Sequence, residues 1–189
     1  MSKLLMTLVA APLAVVSTCA LAMDSIATTP VGSTPTVRAP SKDAEPPDNV
    51  NLSLVEAVKA AHAQMQGRVL GIRFEMWHGQ PTYLVRIYTS RSVPAVWQGR
   101  ISADTALPVG QPTMLWSHEW NARLRNNIVA LRDVHIPLGQ VVRKAEKAHS
   151  GHVIMAAVRA LPNGRAAYRL NLVSNDQVRV LTIGARNMT

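Results

Sequence analysis

The pattern of apolar and polar positions recurs twice along the chain, over residues 53–88 and again over residues 138–172. Each copy begins with apolar residues at helical spacing, passes a glycine, and continues in runs where apolar and polar residues alternate. Equivalent positions lie 84 residues apart: Leu54 and Leu138, Ala57 and Val141, Val58 and Val142, Ala61 and Ala145, and Gly67 and Gly151. Because a repeat decides the architecture before any single element does, we expect two related units.

Local signals in the first copy predict a helix followed by a hairpin and a third strand. Ser53 and Glu56 form an S-x-x-E capping box, in which the hydroxyl and the carboxylate each bind a backbone N–H at the start of the helix. Gly67 is predicted to end this helix in a left-handed conformation. A turn at 78–80 should join the first two strands. The strands predicted from the alternation are 69–77, 82–88 and 95–101.

The second copy predicts the same elements, with Asn163-Gly164 as its hairpin turn and strands over 153–161, 166–173 and 177–183. Between the copies, apolar residues at helical spacing predict a helix over 115–132. We therefore expect an α+β fold of two repeated units, each a helix packed on a three-stranded antiparallel sheet. The predicted domains are 1–22 (signal peptide), 23–51 (disordered Pro-rich tether), 52–105 (first unit), 106–134 (connecting segment with a helix) and 135–189 (second unit).

The first 22 residues have the pattern of a secretory signal peptide. Lys3 gives a basic start, residues 4–16 are apolar but too short to span a membrane comfortably, and Ala20-Leu21-Ala22 is a small-x-small site. We expect cleavage after Ala22 and export to the periplasm. Cys19 follows Val16-Ser17-Thr18, which resembles a lipobox, so a lipid anchor at Cys19 is the alternative localisation.

Processing also bears on the chemistry of the mature chain. Cys19 is the only cysteine, so cleavage after Ala22 leaves no thiol for a disulfide or for thiolate catalysis. The segment that follows, 23–51, carries five prolines among small polar residues and has no periodicity. Such a stretch cannot bury enough apolar area to offset its ordering entropy, so it is predicted to be a tether.

Composition permits a packed core and adds an excess of positive charge. Apolar residues make up 48% of the 189 residues, charged residues 16%, and the net charge is +9. An ordinary basic surface would account for this, and so would an anionic partner such as nucleic acid, lipid headgroups or an acidic protein. The lysines and arginines are spread through both copies, which argues against nucleic acid. Weak contact with an anionic membrane surface stays open.

Residue types that carry catalysis or metal binding form no familiar constellation in the sequence. The histidines are not arranged as H-E-x-x-H, and no cysteine pair accompanies them. A G-x-S-x-G elbow, a phosphate loop and a dinucleotide fingerprint are missing as well. We therefore predict no catalytic residue, no metal site and no cofactor, and we expect that the chain is not an enzyme.

The order of helix, glycine, hairpin and third strand, found twice after a signal peptide, resembles the PepSY domain family. The matching positions of the first copy are Leu54, Ala57, Ala61, Gly67, the run Gly79-Gln80-Pro81-Thr82-Tyr83-Leu84-Val85, and the closing strand 97–105 with Asp104 and Thr105. Those of the second copy are Ala145, Gly151, Gly164 and Tyr168, without the closing Asp-x-x-x-Gly pattern after Leu181. The resemblance implies a helix on an antiparallel sheet. The family occurs in propeptides of secreted metallopeptidases and in envelope proteins, and a peptidase-regulating role is proposed for it.

The predicted function is that of a non-enzymatic envelope protein that binds and regulates another protein, with a peptidase as the partner that the resemblance implies. A small-ligand or metal-ion sensor in the periplasm is the alternative. An extended acidic segment of the partner would add to the sheet edge that each copy's third strand leaves open. The arginines expected to bind the partner are Arg86, Arg91, Arg100, Arg165, Arg169 and Arg179.

Overall fold

The structure, a computed structural model, describes residues 52–90 and 93–185, so the predicted signal peptide and tether lie outside the described residues. Within the described ranges, seven strands form one antiparallel sheet, against which three α-helices pack. The strands are β1 (Arg68–Trp77), β2 (Gln80–Thr89), β3 (Ala95–Ser102), β4 (Pro108–Trp116), β5 (His152–Ala160), β6 (Ala166–Ser174) and β7 (Gln177–Gly184). The helices are α1 (Leu54–Gln64), α2 (Ala122–Leu131) and α3 (Leu138–His149), with a 3-10 turn at Ser117–Glu119.

The sheet is continuous from one half of the chain to the other, in the order β4-β3-β2-β1-β5-β6-β7. The α+β class is confirmed, but the prediction of two separate units with three strands each is wrong. The first strands of the two halves pair at the centre, where Ile72 lies opposite Ala156. Two separate units would leave both of these strand edges with unpaired N–H and C=O groups, and the β1–β5 pairing satisfies them.

The segment between the halves also differs from expectation, because β4 was not predicted. The predicted helix over 115–132 is shorter, α2 (Ala122–Leu131), and 108–116 form a fourth strand on β3. Pro108 and Pro112 are compatible with this edge position, where a missing N–H removes no essential ladder bond. Asn121 caps α2, since its side-chain Oδ1 accepts a hydrogen bond of 2.8 Å from Leu124 N.

A single hydrophobic core lies between the sheet and the two helices α1 and α3, and Ile128, Ala130 and Leu131 of α2 also belong to it. Helix α1 packs on β1, β2 and β3, helix α3 packs on β5 and β6, and the two helices contact each other. The residues that the helices bury are Leu54, Ala57, Val58 and Ala61 in α1, and Leu138, Val141, Val142 and Ala145 in α3. The predicted apolar stripes are therefore confirmed, and so is the capping box of Ser53 and Glu56.

The glycines after the helices have a role other than the predicted one. Met65 ends α1 in an extended conformation, and Gly67 is not in the left-handed region. A Cβ on Gly67 would instead collide with the carbonyl oxygen of Tyr88, and a Cβ on Gly151 would collide with that of Val173. Both glycines are needed because the backbone of a neighbouring strand passes too close for any side chain.

A buried tyrosine occupies the equivalent place in each half and ties the sheet to the start of a helix. The Tyr83 hydroxyl donates a 2.9 Å hydrogen bond to Leu52 O, two residues before α1 begins. The Tyr168 hydroxyl donates a 2.8 Å hydrogen bond to Ile136 O, two residues before α3 begins. Each bond fixes where the chain enters the helix that covers that half of the sheet.

Replacing both tyrosines (Tyr83→Phe with Tyr168→Phe) is expected to reduce the loss of stability at high pH. Burial raises the pKa of Tyr83 and of Tyr168 to about 12, whereas a tyrosine of the unfolded chain has a pKa near 10. The folded state therefore holds these protons more tightly, and this stabilisation is complete below about pH 10 and is lost as the pH rises from about 10 through about 12. Urea unfolding at about pH 8 and about pH 11.5 measures the free energy of unfolding of both proteins.

At about pH 8 the double variant should be less stable by about 1–3 kcal/mol, because it lacks two buried hydrogen bonds. Between the two pH values it should then lose less stability than the wild type. An equal loss in both proteins would mean that other groups cause the alkaline destabilisation.

Candidate anion-binding face of the sheet

Five arginines from five strands share the face of the sheet opposite α1 and α3. The strand register places them there, since Arg73 pairs with Leu84, which pairs with Arg100 on its other side. The core residues Ile72 and Val85 alternate with these positions and belong to the opposite face. We call this surface the arginine face; its strand arginines are Arg73 on β1, Arg86 on β2, Arg100 on β3, Arg159 on β5 and Arg169 on β6.

Glu75 is the acidic residue of the seven strands, and it is already paired twice. Its carboxylate lies 2.7 Å from Arg73 Nη2 and 2.8 Å from Arg100 Nε. The Arg100 guanidinium also lies 5.1 Å from the ring centroid of Trp77, within the range of a cation–π contact. The five strand arginines thus share this face with one strand carboxylate, which pairs with two of them. An excess of positive charge therefore remains on the face.

Arg86 holds a charge that is partly removed from water. Its Nε donates a 2.8 Å hydrogen bond to the neutral side chain of Gln98, at Oε1. Burial of the guanidinium, and then the positive charge of Arg73, lower the pKa of Arg86, which Glu75 opposes. An arginine stays charged in proteins despite such a shift, so the unfavourable environment persists as an attraction for anions.

Arg159 is a second arginine of this face whose charge is partly removed from water. Its Nε is buried and has no hydrogen-bond partner in the part of the chain that the structure describes. Burial lowers the pKa of Arg159, and the positive charges of Arg123, Arg169 and Arg86 lower it further. Buried polar groups in native proteins are nearly always hydrogen bonded, so an unpaired donor among like charges calls for an explanation.

Helix α2 lies beside Arg159 and makes the surface concave. It packs on β5, β1 and β6, and Asn127 anchors it because its Oδ1 accepts a 3.2 Å hydrogen bond from Ala160 N. The resulting cleft has a cavity of about 140 Å³ that reaches Leu124 and Arg86. An adjoining cavity of about 560 Å³ extends toward β7. Arg159 and Asn127 line both cavities, so they lie where the two meet.

The structure brings three of the six predicted arginines together. Arg86, Arg100 and Arg169 lie on the arginine face. Arg165 lies in the turn between β5 and β6, where its N–H donates to Asn163 Oδ1. Arg179 pairs with Leu172, a core residue, and so belongs to the opposite side of the sheet. Arg91 is outside the described residues.

Three further arginines of this region were not predicted: Arg73, Arg123 and Arg159. Alternation within β1 already put Arg73 on the side opposite the core residues, so that signal was available in the sequence. In β5, Arg159 likewise follows the buried core residue Val158, so alternation puts it on the side opposite the core. The position of Arg123 could not be found this way, because it depends on where α2 packs.

The predicted open edge of the first half is occupied. Strand β4 covers β3, so the edges of the described sheet are β4 and β7. Within the described ranges β7 pairs with β6 alone, and it carries an exposed apolar residue, Val180. Thr182 of β7 lies opposite Arg169, which makes this edge continuous with the arginine face.

Residues 52–90 and 93–185 contain no group of three or more His, Cys, Asp or Glu side chains placed to hold a metal ion. The same residues include no helix long and apolar enough to cross a membrane. Neither finding bears on the segments outside those ranges.

Comparison with protein-family profiles gives no match, and comparison with curated protein sequences gives none either. Among solved structures, the fold is similar to the crystal structure of a "putative lipoprotein" from Clostridium difficile 630. The two chains are 14% identical, and the alignment covers 75% of this chain and 91% of that chain with a TM-score of 0.44.

Proposed function

We propose that this chain is a non-enzymatic envelope protein whose arginine face binds an acidic segment of another protein and thereby regulates it. The observation that carries the proposal is the concentration of arginines from five strands around one carboxylate, Glu75. A peptidase is the candidate partner, because a role in peptidase regulation is what the resemblance to the PepSY family implies.

The environment of these arginines supports an attraction stronger than that of ordinary surface charges. An ion pair 4 Å apart is worth about 1 kcal/mol in bulk water and about 4 kcal/mol at the effective dielectric near a protein surface. Partly desolvated groups such as Arg86 and Arg159 lie toward the second case. Exposed lysines and arginines on α3 lie toward the first. An acidic partner should therefore prefer the arginine face to the rest of the basic surface.

The β7 edge offers this partner a second kind of contact. An edge strand presents N–H and C=O groups to which an extended segment can hydrogen bond, as in β-augmentation. β4 is the less suitable edge, because Pro108, Pro112 and a left-handed Gly110 interrupt it. A segment that lies along β7 would pass beside Arg169 and Arg123, so backbone pairing and charge would act on the same partner.

The relation between the two halves is part of the proposal. We infer that each half derives from one PepSY-like unit, and several equivalences support this. Each half consists of a helix followed by three strands that are neighbours in the sheet. Each has a buried tyrosine whose hydroxyl donates a hydrogen bond to a backbone carbonyl just before the helix. Each also has a bulge in its first strand, at Leu70 and at Ile154. Export with cleavage after Ala22, or a lipid anchor at Cys19, would place the protein in the envelope.

Reversing the charge of Arg123 and Arg169 (R123E with R169E) is expected to weaken binding of the partner about tenfold. Both side chains are exposed and neither forms an ion pair within the described residues, so the fold should tolerate the change. Loss of roughly 1.4 kcal/mol corresponds to that factor. The partner is recovered from envelope extract with the wild-type protein and identified, and its affinity is then measured by calorimetry at low and high salt.

The matched control is the double reversal Arg143→Glu with Lys144→Glu on the exposed side of α3. It changes the net charge by the same amount but leaves the arginine face intact. The control should bind as the wild type does, and added salt should weaken wild-type binding. Equal weakening by both variants would show that net charge alone is responsible, and no weakening by either would exclude the arginine face.

A further inference from the structure

We propose that the cleft between α2 and the arginine face is a binding site for a small oxyanion ligand, a carboxylate or phosphate group that carries a short apolar part. We call it the Arg159 cleft. Arg159 is central to it, because this residue lines both cavities that meet there. This site does not depend on the protein partner proposed above, and it gives chemical form to the alternative of a small-ligand sensor.

The polar groups that line the cavity of about 140 Å³ favour a negatively charged ligand because they are hydrogen-bond donors. Arg73, Arg86 and Arg159 line it, and no acidic side chain does. Asn127 adds a further donor: its Oδ1 already accepts from Ala160 N, which leaves its side-chain NH₂ group to donate. A cation or a neutral acceptor-poor molecule would find no partner in this set of groups.

Arg159 is arranged to gain from a bound oxyanion. Arginine pairs with carboxylates and phosphates through two parallel N–H groups, and the side-on form of this pairing uses Nε together with one Nη. Arg159 Nε is the donor that lacks a partner in the described structure. A bound oxyanion would supply the missing acceptor and would neutralise part of the repulsion from Arg86, Arg123 and Arg169.

The carboxylate already present on this face does not compete for the site. Glu75 is held by Arg73 and Arg100, at 2.7 Å and 2.8 Å. In the part of the chain that the structure describes, Arg86 donates to the neutral Gln98 through Nε, which leaves its Nη atoms for a ligand. Arg86 and Arg159 are thus the arginines lining the cavity that form no ion pair within the described residues.

The rest of the lining explains why the ligand should carry an apolar part. Leu84, Leu124, Met155 and Ala157 contribute apolar surface on the side of the sheet and of α2. The cavity of about 140 Å³ far exceeds the roughly 10–15 Å³ that one water needs. A short alkyl group could therefore lie against these side chains while the oxyanion contacts the arginines.

The test is a titration followed by NMR at the arginine side chains. The processed protein, labelled with ¹⁵N, is titrated with inorganic phosphate, with acetate and with hexanoate, and sodium chloride serves as the control for ionic strength. The Nε–H signal of Arg159, assigned by its loss in Arg159→Gln, should shift and saturate. The Nε–H signal of Arg143 on α3 should not. Stronger binding of hexanoate than of acetate would identify a carboxylate with an apolar part, and saturation by phosphate would identify a phosphate.

Arg159→Gln is expected to weaken binding of the saturating anion at least tenfold, the loss expected for one charge-assisted pair. Its melting temperature without ligand should equal or exceed that of the wild type, because the lost charge was unpaired; weaker binding then cannot be ascribed to unfolding. Unchanged affinity in this variant would overturn the site. Unsaturated shifts of all arginine signals together would mean an adventitious ion only, and would also overturn it. In either case the protein partner could still bind, and the R123E–R169E result would be unaffected.

Discussion

Ala61→Asp is expected to unfold both halves of the protein at once. Ala61 is fully buried on the inner side of α1, and its equivalent Ala145 in α3 is 3% exposed. An aspartate at either position would bring a carboxylate into the apolar core without a partner, at a cost of several kcal/mol. Proteins of this size are stable by only about 5–15 kcal/mol. Because the core and the sheet are continuous across the two halves, the loss should not stay local.

Far-UV circular dichroism and hydrogen exchange measure this result. Ala63→Asp is the matched control, since Ala63 lies on the same helix and is exposed; this variant should keep the native spectrum. Ala61→Asp should lose protection in β6 and β7 as well as in β1 and β2. If β6 and β7 stayed protected while the first half exchanged, the two halves would be independent folding units, contrary to the continuous sheet.

Gly151→Ala is expected to destabilise the protein by about 1–3 kcal/mol, the usual cost of overpacking. The added Cβ would collide with the carbonyl oxygen of Val173 and crowd the side chains of Leu172 and Ser174. A backbone carbonyl in the ladder between β5 and β6 cannot move aside as a flexible side chain can. The same argument applies to Gly67→Ala, where the obstacle is the carbonyl of Tyr88.

Gly184→Ala provides the matched control for this prediction. Gly184 also lies in a strand, but nothing is within 4 Å of a Cβ placed there, and its backbone is outside the left-handed region. Alanine at this position should be neutral or slightly stabilising, because it reduces the entropy of the unfolded chain. Chemical denaturation of the wild type, Gly151→Ala and Gly184→Ala compares their free energies of unfolding. Equal stability of Gly151→Ala and Gly184→Ala would show that the close approach can relax.

The arginine face illustrates how a stable scaffold can carry an unfavourable site. The core on the other side of the sheet is apolar and continuous, and it does not depend on Arg86 or Arg159. Partly buried like charges reduce stability in the absence of an anion, and such costs often mark places where a ligand binds. A variant that is more stable without ligand and weaker in binding would therefore connect the two properties in this protein.

Local signals in the sequence were sufficient for the features that depend on neighbouring residues. The capping box of Ser53 and Glu56 forms as predicted. The turn between the first two strands adopts positive φ angles of 49° at His78 and 76° at Gly79, as a tight hairpin requires. The apolar stripes of both helices were correct for the same reason, because helical spacing alone decides which residues share a helix face.

Register was the first property that only the tertiary structure decided. Regular alternation through β1 would place Val69 on the same side of the sheet as Arg73. The bulge at Leu70 changes the alternation, so Val69 pairs with Ile87 and shares a face with Ile72. In β7, whose register with β6 is regular, the face of Arg179 follows from its pairing with Leu172, which the sequence pattern did not specify.

The pairing of the two halves was the second property that only the tertiary structure decided. Pairing of β1 with β5 and addition of β4 to β3 join residues far apart in the chain, and period-two alternation contains no information about which strands become neighbours. The candidate site depends on that choice, since Arg86 and Arg159 come from different halves and α2 must pack beside them. The sequence determined helices α1 and α3, the first hairpin turn and the strand faces apart from the bulges and β7. The bounds of α2, the existence of β4 and the gathering of the arginines required the folded sheet.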